Sequence, residues 1–181
     1  MEVLSSSPET HDEMANHSEF KVKVFPGGSG WAVAFAIGLS IAGLATLPPI
    51  LPVAAREIVM NLFSSVCHQL PNRSPHLAGV QLAVCHRCIG IYYAFPVAAV
   101  LFRVARGAWP SKTHFASLLF FISVLPAGID WLGDLLGWWV NTPESRVVTG
   151  SILGITAGYF FTKAMQEIVS DLRSNNRSKS T

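Results

Sequence analysis

The uncharged stretch at residues 89–102 constrains the fold of this chain more than any other feature. At about 1.5 Å per residue it covers roughly 21 Å of a hydrocarbon core roughly 30 Å thick. A spanning helix must therefore extend back through Cys88, Arg87 and Cys85 to near Gly79. This places two thiols and a guanidinium at membrane depth, where ionisable groups are costly and usually functional.

The composition is that of a membrane protein. Half of the residues are hydrophobic and 13% are charged, whereas about a quarter of the residues in soluble domains are charged. The mean hydropathy is +0.40. We predict an all-α, polytopic four-helix transmembrane bundle with an ordered outer loop and the lipid bilayer as its partner. The net charge of +2 is too small to indicate a nucleic-acid partner.

The hydropathy pattern divides the chain into three parts. Residues 1–29 form a polar, acidic tail, predicted to be disordered, residues 30–168 form a four-span membrane domain, and residues 169–181 form a second polar tail. The spans cover residues 31–47, 79–102, 115–129 and 147–162. Small residues recur at every fourth position of the first and last spans, namely Ala34, Gly38 and Ala42, then Gly150, Gly154 and Gly158. Such faces allow close helix packing, either within the chain or in a homo-oligomer.

Two segments between the first and second spans have patterns of their own. Residues 56–63 read as an interfacial amphipathic helix, with Ile58, Leu62 and Phe63 on its apolar face. The prolines of residues 67–76 favour an ordered loop over a helix.

Basic residues predict the orientation. Four spans put both termini on one side, together with Lys21, Lys23, Arg103, Arg106, Lys112, Lys163 and Arg173, against Arg56, Arg73 and Arg146 on the other. The excess predicts a multi-pass protein of the cell membrane with both termini in the cytoplasm. In this topology one outer face carries Cys67, His68, Cys85, Cys88, Asp130, Asp134 and Arg146.

The cysteines indicate metal or redox chemistry. Cys85 and Cys88 are three residues apart, so on a helix they share one face and can bind one metal or form one disulfide. With Cys67 and His68 they make a Cys3His set suited to zinc or iron, and His86 or His76 can replace His68. The competing interpretation is that the thiols are ordinary packing residues.

The two acids of the third span lie four residues apart and so on one helical face. Asp130 either forms an ion pair with Arg87 or Arg146, or acts as a general base, proton relay or further metal ligand. Asp134 is nearer the aqueous end and is expected to be solvated. Arg87 and Arg73 are assigned to anionic groups of a substrate.

Four segments resemble a family of prokaryotic membrane proteins known as domain of unknown function 2085. They read CHQLPNRS at residues 67–74, VCHRCIGIY at 84–92, GID at 128–130 and RVVTG at 146–150, and the similarity covers roughly residues 62–160. The resemblance implies a polytopic membrane fold and no particular reaction. Its motif positions are Cys67, His68, Arg73, Ser74, Cys85, Arg87, Cys88, Tyr92 and Asp130.

These patterns support three hypotheses. The first is a metal-dependent protein acting as an enzyme on a lipid or other amphiphile, with zinc or iron bound by Cys67, His68, Cys85 and Cys88. Its catalytic residues would be Asp130, Arg87 and Arg73, and further site residues would be His86, Ser74, Tyr92, Asp134 and Arg146. The second is a thiol-disulfide oxidoreductase coupled to a quinone. The third is a non-enzymatic membrane sensor or assembly factor.

Overall fold

A computed structural model describes residues 29–105 and 113–178 of the chain, with side chains except at 113–117 and 176–178. Nearly all of the predicted N-terminal tail, residues 1–28, lies outside the described residues, as do residues 179–181. Among the basic residues used for the orientation, Lys21, Lys23, Arg106 and Lys112 also lie outside them.

The described part of the chain is mostly helical. Its five α-helices are α1 (Gly30–Thr46), α2 (Val53–Ser64), α3 (His86–Val104), α4 (Thr113–Leu135) and α5 (Pro143–Ser178). Single 3-10 turns lie at Pro48–Ile50 and Pro71–Arg73. Two short antiparallel strands, β1 (His76–Leu77) and β2 (Val80–Gln81), form a hairpin in which His76 faces Gln81.

Helices α1, α3 and α5 pack against one another, and both small-residue faces are used in this packing. A Cβ at Gly38 of α1 would lie 3.0 Å from Pro96 of α3. One at Gly154 of α5 would lie 2.5 Å from the carbonyl oxygen of Ile91. The small residues therefore bring helices of the same chain into backbone contact.

Helix α4 packs mainly against α5, and much of its apolar surface is exposed. Two helical segments are long and apolar enough to cross a membrane, His86–Val104 and Leu118–Leu135. Helix α1 is apolar but has only 17 residues. Helix α5 has 36 residues and extends through most of the segment predicted as the C-terminal tail.

The second span does not begin near Gly79, so this part of the prediction was wrong. The chain turns there into the β1–β2 hairpin, where Ala78 has a φ of 51° and Gly79 a φ of 78°. Ala83 and Val84 are fully buried, and Cys85 is still extended when α3 starts at His86. Its 19 residues end at Val104, two residues beyond the predicted end at Phe102, and span about 28 Å.

Helix α2 contains the predicted amphipathic segment, residues 56–63, but only part of its apolar face packs against the fold. Helix α2 buries Val59 and Phe63. Ile58 and Leu62 are 70% and 61% exposed, although the sequence had grouped them with Phe63. Both faces repeat at four-residue spacing, so periodicity alone could not select the one that packs against the fold.

Candidate functional site

The three cysteines converge at the end of the molecule where α3 begins. Cys67 follows the last turn of α2, Cys85 precedes α3, and Cys88 lies in its first turn. Their sulfur atoms all lie within 4.8 Å of one another, and all three are free thiols. The backbone N–H of Cys85 donates to the Cys67 sulfur at 3.2 Å. We call these three residues the thiol cluster.

The thiol cluster is embedded in apolar packing on one side. Cys67 is buried in a core with Ala45, Val59, Phe63, Ala83 and Val84, and the Phe63 ring lies 5.9 Å from that of Tyr92. Cys85 and Cys88 are partly exposed. Hydrogen bonds from the Cys67 and Cys88 thiols, with smaller contributions from backbone amides, lower the pKa of Cys85. Partial burial of Cys85 opposes this lowering of its pKa.

Gln69 holds the loop that carries Cys67, a role the sequence analysis missed. Its side-chain amide donates to the carbonyl oxygens of Met60 at 2.7 Å and Ala83 at 2.8 Å, and its own carbonyl accepts from Gln81 at 2.6 Å. Its φ is 49°, in the left-handed region. The sequence feature that could have indicated this role is its position between a Cys-His pair and a proline. In such a loop no helix or sheet supplies hydrogen bonds to the backbone, so side chains must.

No imidazole joins the thiol cluster in the described part of the chain. The Cys67 N–H bonds to the Phe63 carbonyl, which continues the last turn of α2, and the next residue, His68, points to solvent. His76 is exposed in β1. The Nδ1 of His86 lies 2.7 Å from the carbonyl oxygen of Arg73. The structure therefore assembles the three sulfurs of the expected Cys3His set without His68.

A second cluster, of arginines and acids, lies at the same end of the helices. Helix α4 continues through Asp130 and Asp134. Asp130 forms an ion pair with Arg87, while the Asp134 carboxylate lies 3.1 Å from the Arg73 guanidinium and 3.6 Å from that of Arg146. We call these five residues the ion-pair cluster. The expectation that Asp134 is simply solvated was wrong, because it is a largely buried partner of two cations.

The Asp130 carboxylate is occupied by donors. Besides Arg87 it accepts from the Asn141 side-chain amide at 3.0 Å and the Ser145 hydroxyl at 3.1 Å. Both carboxylate oxygens therefore already accept from neighbouring side chains. This geometry favours the ion-pair interpretation of Asp130 over the general-base one.

Asn141 organises the turn between α4 and α5, a role that the sequence analysis did not identify. It is buried, and its side-chain amide also donates to the Asp130 carbonyl at 2.8 Å. Its oxygen accepts from the Trp139 indole at 3.0 Å. Thr142 caps α5 by accepting from the Ser145 N–H at 3.2 Å.

The described structure defines a helical protein with two helices that are long and apolar enough to cross a membrane, and with thiol and ion-pair clusters at one end. The class it indicates is that of a helical membrane protein. The chain belongs to the family described as predicted membrane protein (DUF2085), whose profile matches residues 67–160. The resemblance stated from the motifs is thereby confirmed.

Two archaeal relatives support this membership. An uncharacterized protein of Methanocaldococcus jannaschii is 30% identical over 108 residues, which cover 60% of this chain and 69% of the relative. An uncharacterized protein of Methanothermobacter thermautotrophicus is 31% identical over 109 residues, covering 59% of this chain and 93% of the relative. No solved structure matches the chain.

Proposed function

We propose that this membrane protein binds one thiophilic metal ion, zinc in the first instance, through Cys67, Cys85 and Cys88. The observation that carries the proposal is the approach of the three sulfurs to within 4.8 Å of one another. Tetrahedral zinc with Zn–S bonds of about 2.3 Å requires sulfurs ~3.8 Å apart, which small side-chain adjustments reach. Iron is the alternative ion, since thiolates also bind iron in proteins.

The ligand count bears on what the metal would do. Structural zinc sites have four protein ligands, and catalytic ones have three with one position open. Three sulfurs with no imidazole beside them among the described side chains match the second pattern. The proposal therefore extends to an enzyme acting on a lipid or other amphiphile, with Arg73 and Arg87 near its anionic group and Asp130 holding Arg87 in place.

The proposed topology has four spans, α1, α3, α4 and α5, with both clusters at the outer face and both termini in the cytoplasm. Its support is that the beginnings of α3 and α5 and the end of α4 lie together, joined by Arg87, Asp130 and Ser145. Of the basic residues counted for the cytoplasmic side, Arg103 lies near the end of α3, and Lys163 and Arg173 lie in the C-terminal half of α5.

A second candidate function is quinone-coupled oxidation of thiols. Cys85 and Cys88 lie at the N-terminus of α3, where the helix dipole stabilises a thiolate, and Cys67 is close enough to exchange with either. In such a step two thiols would lose two electrons and two protons to a quinone, giving one disulfide and one quinol.

Metal content separates these functions. The full-length protein is purified in mild detergent without reductant, its metal is measured by mass spectrometry, and its thiols are titrated before and after chelation. We expect about one zinc or iron per chain, with thiols released by the chelator. Cys67→Ser, Cys85→Ser and Cys88→Ser should each lose the metal, because all three ligate one ion. The matched control is His68→Ala, which should retain it.

Other results would contradict the metal proposal. No metal, with one thiol titrating until a reductant is added, would favour the oxidoreductase. No metal with three free thiols would rule out both functions and favour a sensor or assembly factor whose cluster only fastens the loop to α3. Loss of metal in His68→Ala with retention in Cys67→Ser would refute the ligand assignment.

A further inference from the structure

Two buried polar atoms have no hydrogen-bond partner in the described structure: the Nε of Arg87, in the ion-pair cluster, and the hydroxyl of Ser74, the residue after Arg73. Ser74 is only 3% exposed. It follows Arg73 in the loop, and the Arg73 carbonyl contacts His86, the neighbour of Arg87. Leaving a buried polar group unpaired is unfavourable, and such groups are rare in folded proteins. One of them belongs to the ion-pair cluster and the other follows a cluster residue in the chain, which suggests that a ligand supplies the acceptors.

The charges of the cluster point to the sign of that ligand. Three guanidinium groups face two carboxylates, which leaves one positive charge in excess. The Arg73 side chain is 41% exposed, whereas those of Arg146 and Asp134 are 11% and 15% exposed. Glu144 lies nearby in the first turn of α5 but is fully solvated. The cluster and the adjoining loop thus combine a partly exposed cation with two buried donors that have no acceptor in the described structure.

We propose that the ion-pair cluster binds a phosphate ester with one negative charge. Arg73 pairs with the phosphate from the exposed side, and Ser74 and the Arg87 Nε donate hydrogen bonds to its oxygens. A tetrahedral phosphate offers acceptors in several directions, which suits a guanidinium and a hydroxyl from different segments. The proposal of an anion site depends on the ion-pair cluster and Ser74 alone. The further proposal that the anion is a substrate rests on the proposed function, and the substrate class is then an amphiphile with a phosphodiester headgroup.

Binding is tested by calorimetry on the full-length protein in an uncharged detergent at low ionic strength. The probes are soluble dihexanoyl phosphatidylglycerol and inorganic phosphate. We expect Ser74→Ala to weaken binding about fivefold and Arg73→Gln about tenfold, since one neutral and one charge-assisted interaction are lost. Arg103→Gln, at the opposite end of α3, is the control and should bind as the wild type does.

Stability distinguishes this role of Ser74 from a structural one. Because its hydroxyl has no partner in the protein, Ser74→Ala should unfold at the same temperature as the wild type or higher when the probe is absent. Lipid binding that phosphate does not displace identifies the headgroup as the source, and displacement by phosphate identifies the free anion. Either result supports the site. Wild-type affinity in both Ser74→Ala and Arg73→Gln, or no binding of either probe, overturns it.

The metal proposal can fail without affecting this one. Ser74→Ala and Arg73→Gln should keep their metal, and Cys88→Ser should keep its affinity for the probe. Metal-free wild-type protein that still loses probe affinity on Ser74→Ala would refute the metal site and support the anion site.

Discussion

At the scale of residues, the role of each acid of α4 follows from the donors that bind its carboxylate. Asp130 is held by Arg87, Asn141 and Ser145, and Asp134 by Arg73 and Arg146. Low-polarity surroundings make an unpaired charge costly, so each carboxylate needs several donors. The spacing of the acids along α4 predicted that they share a face. Their partner Asn141 could not be identified, because its role depends on how the chain turns back after α4.

Asn141 offers the sharpest test of this arrangement. Asn141→Ala removes donors from the buried Asp130 and should cost about 1–3 kcal/mol of unfolding free energy. Asn141→Asp should destabilise more, because it adds a second negative charge beside Asp130. Thermal unfolding in detergent measures both. Greater stability in Asn141→Asp than in Asn141→Ala would contradict the network, and Asn72→Ala in the exposed 3-10 turn is the control.

At the scale of elements, the crossing of α3 and α5 depends on glycine. A Cβ at Gly150 would collide with the Arg87 carbonyl, and one at Gly90 with that of Val147. The four-residue spacing of small residues predicted close packing, and the structure adds that the partner of α5 is α3 of the same chain. The hairpin before α3 was not predictable in the same way, because its apolar residues match a buried loop as well as a span.

We predict that Gly154→Ala destabilises the protein by about 1–3 kcal/mol, because its Cβ would lie 2.5 Å from a backbone oxygen that cannot move freely. Gly128→Ala in α4 is the matched control, since nothing lies within 4 Å of its added Cβ. It should be neutral or stabilising by up to about 1 kcal/mol from helix propensity. Denaturation in detergent compares the two. Equal effects would show that the crossing tolerates a wider separation.

At the scale of the whole molecule, α4 differs from the other apolar helices. Helices α1, α3 and α5 share a packed centre, whereas α4 lies mainly against α5 and is joined to α3 by the Arg87–Asp130 ion pair. Hydropathy predicted the apolar helices because their composition shows that they are excluded from water. Composition does not show which helices contact each other, so the packing of α1, α3 and α5 with α4 at the side could be seen only in the structure.

The proposed orientation makes a prediction at this scale. With both termini in the cytoplasm, green fluorescent protein fused to the C-terminus should fluoresce in intact bacterial cells, and alkaline phosphatase fused there should be inactive. The reverse result would place the C-terminus outside. Alkaline phosphatase fused after Ser65, in the loop proposed to face outward, is the positive control and should be active.

Arg87 connects the thiol cluster, the ion-pair cluster and the contact between α3 and α5. It stands between Cys85 and Cys88 in the chain, its carbonyl packs on Gly150 of α5, and its guanidinium reaches Asp130 of α4. Oxidation or ligation of the neighbouring sulfurs would alter the charge within one helical turn of that guanidinium. Under the proposed function, a change at sulfur would therefore act beside a residue that contacts α4 and α5 as well as its own helix, α3.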